Sequence, residues 1–328
     1  MTQMDCRISV AMATYNGEAF VEQQIESILR QTSQPDELVI SDDCSTDRTI
    51  ELIKKATTGA PFPVRIFRNA RNLGMTRNFE NAITQATGDI ILPSDWDDYW
   101  MPDRIAATAA VFAEERDVVL VYCDAELTDN ALRPNGTTLF GLRPPLRVLS
   151  GLKGAKALAG AGLVQGMTIA FHSRLKPFVL PFSDQCGWDR WLSFIAPAVG
   201  EVRSIDRPLV YYRRHGRNWA PLESEGRGKA RWIRAADRDV YAYRAARWDA
   251  VHTRLKEIKA CGVPSSARRF DEFLDASERC LRFARRRQHM KGRRRIARLW
   301  SALSSLATGD YHRYAEGTRS CVLDVAAR

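Results

Sequence analysis

The densest chemistry in this chain is Ser94-Asp95-Trp96-Asp97-Asp98, three carboxylates in four positions directly after the apolar run Asp89-Ile90-Ile91-Leu92-Pro93. Carboxylates this close repel one another, and a cation among them relieves the repulsion. Mg²⁺ and Mn²⁺ prefer oxygen ligands and commonly bridge one or two carboxylates to substrate phosphates. Alone, such a string is more often a solvated acidic turn. A second acidic cluster, Asp42-Asp43-Cys44-Ser45-Thr46-Asp47, follows another apolar run, Glu37-Leu38-Val39-Ile40-Ser41. Ser45, Thr46 and Asp47 suit the cap of a helix starting near Arg48. Asp42 and Asp43 end the strand and need another reason. In open α/β sheets ligands bind beyond the carboxyl ends of strands, so two acidic clusters at two such ends point to one shared site.

The elements that must position these acids alternate along the chain. Residues 7–12 read as a strand ending in Ala13-Thr14-Tyr15-Asn16-Gly17, followed by a helix with Phe20, Ile25, Ile28 and Leu29 on one stripe. A strand over 64–67 leads through Asn69 to Gly74 into a helix carrying Phe79, Ala82 and Ile83. Pro102 suits the first position of a helix running to about Glu115, with a strand over 118–122 beyond it. Further strands are expected at 166–171 and 209–212, and Trp188-Asp189-Arg190-Trp191-Leu192 opens a helix in which Asp189 is either a dipole partner or a reactive acid. This alternation predicts an α/β fold, a mostly parallel sheet flanked by helices. Gly17, Gly59 and Gly74 stand alone, so there is no glycine-rich phosphate loop, and bound phosphates would need a metal and basic side chains.

In this order, Ala13-Thr14-Tyr15-Asn16-Gly17, Ser41 to Asp47, Asn72-Leu73-Gly74, Asp95-Trp96-Asp97-Asp98 and Met101-Pro102-Asp103 resemble the inverting family 2 glycosyltransferases, which have the GT-A nucleotide-sugar-binding fold. The resemblance is to the bacterial rhamnosyltransferase-like members that build surface polysaccharide. It implies that Ala13, Tyr15 and Asn16 wall the nucleobase of a donor, with Asp43 accepting from the base and Asp42 supporting it. Arg77 falls at a diphosphate contact. Asp95 lies near ribose and metal, Asp97 is the main ligand of a Mg²⁺ or Mn²⁺ ion, and Asp98 is either a second ligand or a loop anchor. Trp96 stands on the donor side where the family often has Gln. Tyr212-Arg213-Arg214-His215-Gly216-Arg217-Asn218 resembles the family's Tyr-Arg-x-His-Gly-x-Asn ending, whose basic residues can reach the leaving diphosphate. His215 either touches donor phosphates or metal or is structural, while His172 only ends a strand. Asp189 matches the general base, with Trp188, Arg190 and Trp191 on the acceptor side.

At 328 residues and 45% apolar content there is room for one large domain plus an appendage, expected as a catalytic domain over 1–220 and a helical, Arg-rich region over 221–328. No stretch reaches the roughly 18 apolar residues of a membrane span, and the first residues carry no apolar signal core. Seven cysteines, with no CxxC pair, suggest a reduced, cytoplasmic protein. The net charge of +10 is concentrated late, in Arg285-Arg286-Arg287 and Lys291-Gly292-Arg293-Arg294-Arg295, before Ile296, Leu299, Trp300, Leu303 and Leu306. Such a segment suits peripheral attachment to an anionic membrane surface, against the blander alternative of a solvated basic face. It lacks the aromatic interleaving and fold of a nucleic-acid binder.

The expected activity is therefore transfer of a sugar from a nucleoside diphosphate sugar, dTDP-rhamnose first and UDP-hexose second. The acceptor is a hydroxyl of a lipid-linked or lipopolysaccharide glycan at the inner face of a bacterial inner membrane. A metal-dependent nucleotidyltransferase and an inactive nucleotide- or glycan-binding scaffold are the alternatives.

Overall fold

The computed structural model describes residues 6–142, 164–215, 240–262, 267–290, 295–307 and 309–310. Among these, 6–142 and 164–215 form one compact unit and the remainder a second. The domain boundary expected at 220, together with Gly216, Arg217, Asn218 and the 291–294 part of the basic run, lies outside the described residues.

The first unit begins with β1 (Ile8–Thr14), α1 (Val21–Leu29), β2 (Glu37–Asp42), α2 (Thr49–Ala56), β3 (Val64–Arg68), α3 (Met75–Gln85) and β4 (Ile90–Ser94). A short β5 (Tyr99–Trp100), α4 (Arg104–Glu114), β6 (Val118–Thr128), β7 (Pro134–Thr138), β8 (Ile169–His172), α5 (Trp188–Val199) and β9 (Glu201–Arg213) complete it. One sheet runs β3-β2-β1-β4-β8-β6-β9-β5, with β7 beside β6. The four N-terminal strands are parallel, as the alternation predicts. From β8 the sheet is mixed, because β8 pairs antiparallel with both β4 and β6 and β5 antiparallel with β9. Every residue of β1, β2 and β4 is buried, which explains their unbroken apolar runs.

Three local expectations change. Residues 166–168 form a turn of 3₁₀ helix, and the strand starts only at Ile169. There the Gln165 carbonyl accepts from both the N–H and the hydroxyl of Thr168, and a side chain at Gly166 would lie 2.4 Å from the Trp188 ring. Pro102 precedes α4 rather than opening it, and its carbonyl accepts from the N–H and hydroxyl of Thr32. Strand β6 continues to Thr128 because the polar Asp124 can be buried, accepting from the N–H groups of Ala125 and Phe140.

Helix α1 carries buried polar groups as well as its apolar stripe, and these hold the segment after β4. Gln24 donates to the Ser94 hydroxyl (2.8 Å), the Ser27 hydroxyl accepts from Trp100 N–H (3.1 Å), and Gln31 bridges the Met101 carbonyl and Ile105 N–H.

The second unit contains α6 (Val240–Ala260), α7 (Ala267–Met290) and α8 (Arg295–Ala307). The pairs Lys259–Asp271, His252–Ser277 and Asp249–Arg285 run in opposite senses, so α6 and α7 form an antiparallel hairpin. Trp248, Val251, Leu255, Phe270, Phe273 and Leu281 form its apolar interior. Among the described residues no helix is long and apolar enough to cross a membrane.

Candidate active site

Thr14 of β1 pairs with Asp42 of β2, and Met12 of β1 pairs with Ser94 of β4. Both acidic clusters therefore leave the same end of three adjacent strands, as the sequence predicts.

The first cluster is knitted into the protein. The Asp42 carboxylate, fully buried, accepts from the Thr14 hydroxyl (3.0 Å) and from the main-chain N–H (2.9 Å) and hydroxyl of Ser45. Asp43 accepts from Asn69 Nδ2 (2.8 Å), Leu73 N–H (2.8 Å) and Gly74 N–H (2.9 Å), so it ties the 69–74 loop to β2. Gly74 turns there with φ +83°, a conformation glycine adopts without strain. Asn16 accepts from Thr46 N–H and donates its own N–H to the Ser45 hydroxyl. Asp47 caps the start of α2 through Thr49. Ala13 is buried, whereas Tyr15 projects from this cradle with 45% of its surface exposed.

The second cluster is clamped from the end of β9. The antiparallel pairs Tyr99–Tyr211 and Trp100–Val210 bring the acidic loop against Arg213. Its main-chain N–H donates to Asp98 Oδ1 (3.3 Å), and its Nε donates to the Asp97 carbonyl (2.9 Å). The rest of the guanidinium reaches the Asn130 carbonyl and Gln23 Oε1 and stacks on Phe20, with its carbon 4.4 Å from the ring centre. Arg213 is thus buried and held by protein acceptors, not left facing a diphosphate. His215 Nε2 lies 2.8 Å from Asp97 Oδ2, beside the Phe20 and Trp96 rings at 5.0 and 6.0 Å. Trp96 itself lies flat on the Gly17 backbone, so a Cβ at Gly17 would come within 2.8 Å of the indole.

Electrostatics separate the acids. Burial and the Asp97 and Asp189 charges push the Asp95 carboxyl well above its ordinary range. Burial and the Asp97 and Asp95 charges do the same to Asp98. The opposing charge comes from Arg104, a buried residue that the sequence reading passed over. Its guanidinium packs on Trp100 at 4.1 Å, and its Nη1 has no hydrogen-bond partner among the described residues. The signal was available: Arg104 shares the buried stripe of α4 with Ile105, Thr108 and Phe112.

Asp189 sits in the first turn of α5 and is close enough for its charge to raise Asp95. Burial lifts Asp189 itself above the usual carboxylate range, against the Arg190 charge and the N–H groups of Arg190 and Gly166. The expected acceptor wall is only partly present. Trp188 packs on Phe79 at 4.2 Å and Trp191 donates its indole N–H to the Val179 carbonyl, so both belong to the core. Arg190 stays partly exposed. Arg77 is engaged by Glu80 (2.9 Å) and Asp184 (2.8 Å) rather than standing free for a diphosphate.

Asp95 and Asp97 supply hard oxygen donors that fit Mg²⁺ or Mn²⁺, while one oxygen of Asp98 accepts from Arg213. Among the described residues no group of three or more His, Cys, Asp and Glu side chains forms a metal cage. Two carboxylates would leave the remaining positions of such an ion to other oxygens, as substrate phosphates supply.

Residues 9–160 match the family model for glycosyl transferase family 2. An uncharacterized glycosyltransferase of Nostoc sp. is 28% identical over 224 residues, 65% of this chain and 66% of that protein. The dTDP-rhamnosyl transferase RfbG of Shigella flexneri is 36% identical over 98 residues, 29% of this chain and 34% of that protein. The chain thus spans less than two thirds of either relative. The mannosyltransferase of Pyrobaculum calidifontis, solved with GDP-Man and Mn²⁺, superposes with a TM-score of 0.52 at 21% identity, covering 93% of this chain and 75% of that one. Together with the strand order, these matches make residues 9–160 similar to glycosyl transferase family 2 and give the first unit the GT-A fold.

Proposed function

We propose that the chain is an inverting, metal-dependent glycosyltransferase that moves a sugar from a nucleoside diphosphate donor to a glycan hydroxyl. The observation that carries this reading is the convergence of Asp95, Asp97 and Asp189, brought from two distant stretches of sequence into one electrostatic cluster. Asp97 and Asp95 would hold Mg²⁺ or Mn²⁺, which when bound neutralises the departing diphosphate. The Pyrobaculum relative's Mn²⁺ supports that choice of ion class. His215 keeps Asp97 oriented, and Arg213 fixes the main chain of the same loop.

Asp189 takes the proton from the acceptor hydroxyl as its oxygen attacks the anomeric carbon. A carboxylate whose proton affinity is raised by burial suits that task at neutral pH. Attack opposite the leaving diphosphate is a single displacement and inverts the anomeric centre. Tyr15, Ala13 and Asn16 face the nucleobase, and Asp43, supported by Asp42, holds the loop that closes that pocket. The donor is dTDP-rhamnose, as the name of the RfbG relative suggests, with UDP-hexose the second choice. The acceptor is a lipid-linked or lipopolysaccharide glycan at the inner face of a bacterial inner membrane.

A thermal-shift panel of dTDP-, UDP-, GDP- and CMP-sugars, with and without Mn²⁺, tests the donor. A donor present at about 100 times its Kd adds roughly 2.7 kcal/mol to stability. The expected result is a Mn²⁺-dependent rise with dTDP-rhamnose that Asp97→Ala abolishes. Absence of any rise across the panel would sink the transferase reading. In the same assay Asp189→Asn should bind donor normally yet transfer at least about 10³-fold more slowly. Transfer at the wild-type rate would move the base elsewhere.

A further inference from the structure

Helix α8 is arranged inside out. Leu299 (43%), Trp300 (70%) and Leu303 (45%) are exposed, as are Ser304 and Ala307, while Ala302 and Ser305 are fully buried. At about 100° per residue the five exposed positions share one arc of roughly 140°, and the two buried ones lie opposite. Among the described side chains of this helix, residues 299–307, the outward face thus carries three large apolar groups and no charge. Among the described residues, three of the seven exposed large hydrophobic side chains are on this one helix. Water does not favour that arrangement, and an apolar partner would reverse its cost.

The charge around it selects the partner. Between Glu278 and Asp310 the sequence contains ten Lys and Arg residues and no Asp or Glu, equal to the net charge of the whole chain. Arg282, Arg285 and Arg286 have acidic partners in Glu278, Asp249 and Asp310. A second copy of the chain docked on α8 would bring two such cationic stretches together. A nucleic acid would meet the cations but leave Leu299, Trp300 and Leu303 unexplained. An anionic bilayer answers both features, because its headgroups neutralise the cations and its acyl boundary takes the apolar face of a helix lying in its plane.

We infer that the exposed face of α8, centred on Trp300, is a docking surface for an anionic lipid bilayer. The inference rests on the proposed function only in supposing a membrane-borne acceptor.

Flotation with vesicles of 3:1 phosphatidylethanolamine and phosphatidylglycerol at low salt, against phosphatidylcholine alone, tests it on the full chain. Wild type should float with the anionic vesicles and be released by 0.5 M NaCl, an order-of-magnitude screening effect. The variant Leu299→Ser/Trp300→Ser/Leu303→Ser should bind at least about tenfold more weakly. These side chains are exposed, so its circular dichroism and thermal midpoint should match wild type. Equal flotation of the triple variant, no flotation of wild type, or a wild-type dimer that the triple variant abolishes would each overturn the inference. The donor thermal shift is read on the same proteins. Donor binding without vesicle binding removes the docking surface alone, and vesicle binding without donor binding removes the transferase reading alone.

Discussion

Two acidic clusters leave the same end of the sheet, and their surroundings are opposite. Asp42 and Asp43 are buried, and each accepts three hydrogen bonds from neighbouring protein groups. The Asp95 carboxylate accepts none among the described residues and sits beside Asp97, Asp98 and Asp189. A buried carboxylate with its oxygens matched by donors is structural, because those bonds tie neighbouring segments together. One crowded by like charges is held against its own preference, which is the signature of a site waiting for a partner. The same residue type after the same kind of strand thus does two different jobs, and the neighbours decide which.

The largest expected difference is at Asp43. Asp43→Asn turns the oxygen that accepts from Gly74 N–H into a donor facing it, so the 69–74 loop loses one of its three ties to Asp43, and the remaining two lose their ionic partner. We expect a loss of about 3–4 kcal/mol, read as a lower urea midpoint at unchanged slope. A stable variant that still binds donor would show that this acid is not structural.

Glu37, at the opposite end of β2 from Asp42, extends the comparison to a third acid. Burial alone would raise its pKa, but the Ser9 hydroxyl, Thr87 N–H and Arg65 guanidinium outweigh it and hold the carboxyl down at about 2. The folded value lies below the ordinary 4.5, so the stabilisation is present above pH 4.5 and is lost as pH falls towards about 2. Over that interval it amounts to about 3 kcal/mol. Glu37→Gln should therefore destabilise the protein at pH 7, and the gap to wild type should shrink to about a quarter of that by pH 2.5. A gap independent of pH would assign the effect to packing.

Asp95→Asn should act in the opposite direction. Removing a charge that burial and two neighbouring carboxylates disfavour should raise the thermal midpoint without metal by a few degrees, or about 1 kcal/mol. The same change should abolish the Mn²⁺-dependent shift. A fall in the midpoint would mean that Asp95 has partners like those of Asp43.

Much of this organisation was legible before any coordinates. Apolar runs marked β1, β2 and β4 because each is buried on both faces, and the acids after β2 and β4 followed. What stayed hidden depended on contacts between distant segments. Arg213 reads as a phosphate-binding cation until β5 pairs with β9 and buries its guanidinium against the acidic loop. Trp188 and Trp191 fall on the acceptor side only by flanking Asp189 in the family pattern, whereas Gly166 and Phe79 make room for Trp188 inside the core. Arg77 was assigned from its place after Gly74, and only the fold brings Asp184 to it. Sequence spacing reports which element a residue is on, but not what lies across from it.

The smallest effect, a coupling energy, tests how the two clusters are joined. Trp96 belongs to the crowded loop, and its indole rests on Gly17 of the loop knitted to Asp42 and Asp43 through Asn16 and Ser45. Gly17→Ala would place a Cβ 2.8 Å from the ring, and the indole cannot retreat freely because Phe20 and His215 pack around it. The cost should be about 1–2 kcal/mol of overpacking. Trp96→Gln removes the obstacle, so the double variant should recover part of that loss relative to Trp96→Gln alone. A coupling of at least about 0.5 kcal/mol in this cycle would mean that the two loops feel each other through the indole. Strict additivity would mean that Gly17 is required by its own turn, leaving the structural and the crowded acids as neighbours that share an edge of the sheet without a mechanical link.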